Sequence, residues 1–383
     1  MRAILFLYDR QINPGQRESG EIVVHSLSLK EHDRPASLRA VLAGLSASVL
    51  SRVPMVMRRI LIPSTRTRGS LATAPRVARL TRMAGLAVSI SVVVGLWATV
   101  VTSQELTPRA YWPAPRGTQV LTLGYNFSTG DVVADPSLPI VGVDSDIHLG
   151  LFAYRRTLSL WGRTANFLIE LPYSKGSTQG DLEGDFTRRD FSGFGDVGVT
   201  LSINLLGAPS MTPAEFQELR QNPNPILGAS VKLVAPTGDY DPEKLINIGA
   251  NRWAIKGELG YMIPIEPAWL LEFELAAWII GDNDDFLGVT REQDPVLTGQ
   301  VHLVRRFRPG FWASLDLNFY TGGRSTIGGV EAADLQRNSR LGGTIVVPIR
   351  RRHAVKVGYS TGVVTESGGD YEMVLLSFTT LVR

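Results

Sequence analysis

The sequence predicts an all-β chain, a transmembrane antiparallel β-barrel of about twelve strands with one short periplasmic helix. Three observations predict it. From residue 104 onward the chain breaks into runs of about ten residues in which apolar and polar side chains alternate, the period of a strand. The connections between these runs are short and long in turn, as in barrels with short periplasmic turns and long outer loops. Full charges occupy the polar positions of several runs.

Residues 305–320, RRFRPGFWASLDLNFY, pose the choice of which side faces inward. Phe311, Ala313, Leu315, Leu317 and Phe319 fall on one side; Trp312, Ser314, Asp316, Asn318 and Tyr320 fall on the other. A soluble sheet packs its apolar side inward, whereas a membrane barrel turns that side to lipid and the polar side to an enclosed lumen. Glu170, Lys232, Lys256, Glu258, Glu272, Glu274, Asp316 and Lys356 all take polar positions. On the opposite side of the run that carries Glu272 and Glu274 lie Trp269, Leu271, Phe273, Leu275, Ala277 and Ile279, a band long enough for a tilted membrane strand. Trp253, Tyr261, Trp269, Phe307, Phe311 and Tyr320 gather near strand ends, where an interfacial girdle is expected. The apolar sides are therefore assigned to lipid and the charges to the lumen.

In chain order, residues 1–82 form an N-terminal extension, read as a misassigned start or a cleaved leader, rich in Arg, Ser and Pro. The extension holds 14 Lys and Arg against 5 Asp and Glu, leaving 25 against 31 for the rest. The part expected to fold is thus acidic, which removes the support that a basic pI would give to nucleic-acid binding. Residues 83–103, MAGLAVSISVVVGLWATVVTS, carry no charge and follow the basic run RVARLTR, the layout of a secretory signal peptide. A single transmembrane helix is the alternative reading. Residues 104–383 are the barrel, with strands expected near 118–128, 146–156, 164–174, 196–206, 227–237, 253–263, 269–280, 296–307, 311–321, 340–349, 353–364 and 371–382. Short turns fall at 158–163, 265–268, 308–310 and 350–352, and long loops include 176–195 and 281–295. The one helical stretch is MTPAEFQELRQ, residues 211–221, where Thr212 can cap and Pro213 suits the first helical position.

Two motifs are set aside. Gly193, Gly195 and Gly198 in GFGDVG match a dinucleotide fingerprint, but a strand follows instead of the helix whose N-terminus would hold a pyrophosphate. Asp282, Asp284 and Asp285 in GDNDDF lack the glycine and later glutamate of a calcium loop, and read as a solvated outer loop. No metal or cofactor is expected.

The candidate site residues lie in the lumen: Lys256, Glu258, Glu272, Glu274, His302 and Asp316. A turn centred on Pro309 sets His302 opposite Asp316, and the 265–268 turn sets Glu258 near Glu274 with Lys256 diagonal. A His beside a carboxylate is part of a hydrolytic triad, so a lipid hydrolase is one reading. No serine lies two residues from His148, His302 or His353. A network that sets the selectivity of a passage, or rigidifies a closed structural barrel, is the other.

The segments GAPSMTPAEF (207–216), APTGDYDPEKLINIGANRW (235–253), REQDP (291–295) and YTGGRSTIGGV (320–330) resemble a bacterial outer-membrane family named for the MetA pathway of phenol degradation. The resemblance runs over about residues 110–383, and departs at the end of the chain, where Arg383 stands in place of a terminal aromatic. It implies a Gram-negative outer-membrane location and uptake of small aromatic or apolar solutes; the charged lumen positions add the expectation of a narrow passage through which they diffuse passively. The partners expected are outer-membrane lipid, a small-molecule solute and the barrel assembly machinery during biogenesis, with no nucleic acid. Mass spectrometry of the mature protein from outer membranes is expected to find residues 1–103 absent; a peptide from the first 80 residues would overturn the leader reading.

Overall fold

A computed structural model describes residues 106–132, 143–182, 185–244, 246–366 and 370–382. The N-terminal extension and the uncharged stretch at 83–103 lie outside the described residues. The barrel strands are β1 (Gln119–Gly130), β2 (Asp144–Leu160), β3 (Arg163–Leu182), β4 (Asp185–Phe194) and β5 (Val197–Leu206). After a helix, α1 (Pro213–Gln221), come β6 (Ile226–Ala235), β7 (Ala254–Glu266) and β8 (Trp269–Ile280). Two short outer strands follow, β9 (Asn283–Phe286) and β10 (Val289–Gln293), then β11 (Val296–Arg308) and β12 (Phe311–Gly322). A second outer pair, β13 (Ser325–Ile327) and β14 (Val330–Glu331), precedes β15 (Gln336–Arg350), β16 (His353–Thr365) and β17 (Tyr371–Leu381).

β4 and β5 are two halves of one course: β3 pairs its outer part with β4 and its inner part with β5, with the break at Gly195 and Asp196. Counted so, twelve antiparallel strands follow one another, and β1 closes on β17 with Leu123 opposite Phe378. Closure leaves no unpaired sheet edge, which a strand structure in lipid requires.

Burial is inverted relative to a soluble sheet. Leu315 is 57% exposed and Leu275 70%, while Asp316, Asn318 and His302 are at 0%. The apolar side of the 311–320 segment therefore faces outward and its polar side inward. Trp253, Tyr261 and Phe307 are exposed on the outer face, Phe307 stacks on Phe311 at 4.7 Å, and Arg305 covers Trp269 at 5.1 Å near the short-turn end. Tyr320 is a correction to the expected girdle. It is fully buried in the lumen, because it shares the parity of Asp316 and Asn318.

The short connections tighten to two residues, such as Trp161 and Gly162 between β2 and β3, both at positive φ (49° and 72°), the backbone that matches strand twist. Segment 176–195 is a second correction. The expected loop continues as a ladder of β3 and β4 out to Leu182 opposite Asp185. β3 is held from the other side as well, since Asp144 of β2 pairs with Gln179, so extending the strand satisfies backbone groups that a loop would leave to water. Strands β9, β10, β13 and β14 form a small sheet of their own beyond the barrel. Asp284 is exposed on β9, and the Asp285 carbonyl accepts from the Tyr240 hydroxyl at 2.8 Å, tying this sheet to the β6–β7 loop.

α1 starts where the sequence places it. Thr212 and Glu215 form a capping box, the Thr212 N–H donating to Glu215 at 2.7 Å and the Glu215 N–H to the Thr212 hydroxyl at 3.4 Å. The Thr212 backbone N–H, then its hydroxyl, hold the Glu215 carboxyl below the usual carboxylate range. A depressed carboxylate contributes stability above its unfolded pKa, and that contribution is lost as pH falls through the folded value.

The chain has no cysteine, so single introduced cysteines report topology cleanly. A membrane-impermeant maleimide is expected to label Asp284→Cys on intact cells and Arg308→Cys only after the outer membrane is opened. The reverse pattern would invert the barrel.

Candidate functional site

The lumen is closed at the short-turn end by the segment preceding β1. Residues 107–112 turn back on themselves, with the Ala110 N–H donating to the Thr107 carbonyl at 3.1 Å and Arg109 at φ 68°. A non-glycine residue in that region is strained and persists only where its surroundings hold it. What holds it is a set of lumen acceptors. The Arg109 N–H donates to Glu272 Oε2 at 2.6 Å, the Thr107 hydroxyl to Glu274 Oε2 at 3.2 Å, and the Thr107 N–H to Gln300 Oε1 at 3.3 Å. The Tyr111 hydroxyl donates to Glu258 Oε1 at 2.9 Å, and Asn204 Nδ2 donates to the Tyr111 carbonyl at 3.1 Å.

The Tyr111 ring has a prepared place. Gly228 and Gly260 are directly opposed on β6 and β7, both facing inward, and a Cβ on either would collide with the ring. Below it an apolar cluster of Tyr111, Met211, Ile226, Met262, Leu270 and Trp312 joins the segment to the α1 linker, with Phe216 and Leu219 of α1 packed against it. The Arg109 guanidinium lies over Trp112 at 4.7 Å and Trp312 at 5.1 Å, a double cation–π contact. Arg306 fastens the linker itself, donating to the Arg220 carbonyl at 2.9 Å.

The six residues expected from sequence all face the lumen. His302 and Asp316 are opposite one another, Nδ1 to Oδ1 at 2.8 Å, and the Thr344 hydroxyl donates to Asp316 Oδ2 at 2.9 Å. His302 Nε2 faces Glu274 Oε2 at 4.0 Å, a carboxylate where a triad would need a hydroxyl. Lys256 pairs with Glu258 at 2.7 Å. The Glu258 register differs from expectation by two residues: Glu258 stands opposite Ala276, and Glu274 opposite Gly260. The turn is the tighter Pro267–Ala268, and a bulge between Pro264 and Glu266 shifts the ladder, leaving Glu258 and Glu274 diagonal.

Above the segment is a cavity of 700 Å³. One wall is charged, with the Lys256–Glu258 pair on β7 and the Lys232–Glu170 bridge at 2.9 Å running from β6 across β5 to β3. The other is largely apolar, with Ile147, Leu149, Leu151, Leu168, Met373 and Leu375. These positions were hidden in sequence because β2 and β17 read LGLFAY and MVLLSF, apolar on both faces, so alternation does not mark the inward side. Gly198 of the GFGDVG motif leaves room for the Lys232–Glu170 bridge to cross β5, where a Cβ would meet Lys232 Cε at 3.2 Å. β5 follows it, and no helix. Asp196, at the break beside it, accepts from the N–H groups of Thr237 and Gly238 and binds the Ala250 N–H at 2.8 Å, drawing the β6–β7 loop over the cavity. Among the described residues no group of three His, Cys, Asp or Glu is placed to hold a metal ion.

Sequence inspection alone passed over Thr107, Arg109 and Tyr111 in the segment, and Gly228 and Gly260 in the wall. Two glycines at inward parity on neighbouring strands were the signal available for the notch.

A closed twelve-stranded transmembrane barrel, with its lumen entered from one end by the segment preceding its first strand, is the class that fold and site define. The chain belongs to the family described as "Putative MetA-pathway of phenol degradation", whose model matches residues 125–370. Among solved structures it is similar to the COG4313 outer membrane channel from Pseudomonas putida F1, at 24% identity over 72% of this chain and 100% of that one, with a TM-score of 0.61. Weaker likenesses are the transport unit of the autotransporter AIDA-I from Escherichia coli and the toluene transporter TodX from P. putida. The first is 9% identical, covers 74% of this chain and 94% of that one, and has a TM-score of 0.44. The second is 8% identical, covers 70% and 91%, and has a TM-score of 0.33. No curated protein matches the sequence.

Tyr111→Phe removes the donor to Glu258 while keeping the ring, and is expected to weaken the hold on the segment by about 1–3 kcal/mol. Gly260→Val fills the notch and is expected to expel the ring. Both should speed tryptic cleavage after Arg109 in the folded barrel, Gly260→Val the more. Cleavage at the wild-type rate in both variants would mean that the segment is held elsewhere.

Proposed function

We propose that this protein is an outer-membrane channel through which small aromatic or apolar solutes diffuse passively, with the segment around Thr107–Tyr111 as its closure. The observation that carries the reading is the 700 Å³ cavity with an apolar wall, enclosed by the barrel directly above that segment. A barrel needing only rigidity would be expected to fill its lumen with side chains, as small barrels do. The family name and the likeness in fold to an outer membrane channel agree with this.

In this reading Lys256, Glu258, Glu272, Glu274, His302 and Asp316 divide into two tasks. Glu258, Glu272 and Glu274 supply acceptors for the closing segment. His302 and Asp316 brace the wall between β11, β12 and β15. Lys256 lines the cavity beside Glu258 and sets the charge that a solute meets.

Proteoliposomes carrying the protein without residues 106–112 are expected to pass small aromatic solutes faster than those with the full mature chain. No flux from either would leave a closed structural barrel as the reading. Release of fatty acid from the vesicle lipid would restore the hydrolase.

A further inference from the structure

The cavity is charged in a way that the rest of the barrel is not. Residues after 82 hold 25 Lys and Arg against 31 Asp and Glu. Among the described residues lining the cavity the balance reverses, with six cationic side chains against three carboxylates. Each of those carboxylates is already engaged. Glu170 is bridged to Lys232, Glu258 to Lys256, and Asp196 receives backbone N–H groups of the β6–β7 loop.

Lys232 and Lys256 are paired in this way; of the other four cations Arg109 lies over Trp112 and Trp312, Arg252 donates to Gln293 Oε1 and Lys356 has contacts of its own, which singles out Arg155. It sits on the inward side of β2, between Ala153 and Thr157, opposite Leu168 of β3 and Val120 of β1. Among the described residues no hydrogen bond or ion pair reaches its guanidinium, and the charge close enough to act on is the like charge of Arg109. Arg155 is half-buried, and a guanidinium that opens onto the cavity beside leucines is free to take an acceptor that enters there. Its planar fork matches a carboxylate in two parallel hydrogen bonds. Leu151 and Leu168 flank it in the same cavity wall, so a ligand carboxylate held there would leave its body against apolar side chains.

We infer that the cavity takes an amphipathic organic anion, an aromatic or aliphatic body bearing one carboxylate, and that Arg155 is the specificity-determining residue that binds the carboxylate. The inference rests on the channel reading and narrows its solute class. A net positive cavity within low-dielectric walls raises the local concentration of anions, and a lining of Arg and Lys is the arrangement of anion-selective passages.

The test is equilibrium binding by titration calorimetry on detergent-solubilised full mature protein, comparing benzoate with its neutral analogue benzyl alcohol. Benzoate is expected to bind at least about tenfold more tightly than benzyl alcohol. Arg155→Met should remove that difference, Arg155→Lys should keep part of it, and Lys175→Met, an exposed lysine outside the cavity, should leave it intact. Folding of each variant is checked by its heat-dependent electrophoretic mobility, and if Arg155→Met does not fold, the two-ligand comparison on wild type and Arg155→Lys decides. Equal affinities for the two ligands, or a preference for benzoate unchanged by Arg155→Met, would overturn the inference and leave the channel reading standing. Benzoate preference with no solute flux in proteoliposomes would keep the site and remove the channel.

Discussion

A charge enclosed by a closed sheet in lipid must find its partner inside the barrel, and the arrangement of this lumen follows from that. Lys232 reaches across β5 to Glu170, Lys256 turns to Glu258, and Asp316 takes donors from His302 and Thr344. Glu272 and Glu274 lie on successive inward positions of β8, and both accept hydrogen bonds from outside the sheet. The donors are the Arg109 N–H and the Thr107 hydroxyl of the segment preceding β1. The need of these buried acceptors for donors and the closure of the lumen are thus one interaction seen from two sides.

That interaction is many small terms in place of one large one. The segment is held by hydrogen bonds worth about 0.5–3 kcal/mol each, an aromatic ring in a two-glycine notch, and an Arg between two tryptophans. Against them stands the left-handed backbone at Arg109, which costs about 1–3 kcal/mol. Contacts of this kind can be lost one by one while the barrel ladder stays intact, so the segment can change state without unfolding its container.

The apolar wall has a different origin. β2 and β17 are apolar on both faces and flank β1, so their inward Ile147, Leu149, Met373 and Leu375 stand on either side of Asn126 and Ser128 of β1 and make a largely apolar wall opposite the charged strands β6 and β7. An enclosed space with one oily and one charged wall follows from the order of strands around the barrel. It orients any occupant with a polar end.

Legible in the sequence were the twelve strands, the inward side of Glu170, Lys232, Lys256, Glu258, Glu272, Glu274, Asp316 and Lys356, the capped helix, and the pairing of His302 with Asp316. Each depends on a period of two or on spacing about one tight turn, which are local quantities. Tertiary structure alone decided the rest. The Glu258 register depends on a bulge at the 265–268 turn, and a bulge leaves no mark in hydrophobic alternation. The lumen position of Tyr320 was implicit in its parity, yet its aromatic character argued for the interface, and the ladder settled between them. That Thr107, Arg109 and Tyr111 turn back into the lumen follows from contacts with residues more than a hundred positions away, such as Glu272 and Glu258. No local pattern encodes such contacts, because the acceptors share a space only once β17 has closed on β1.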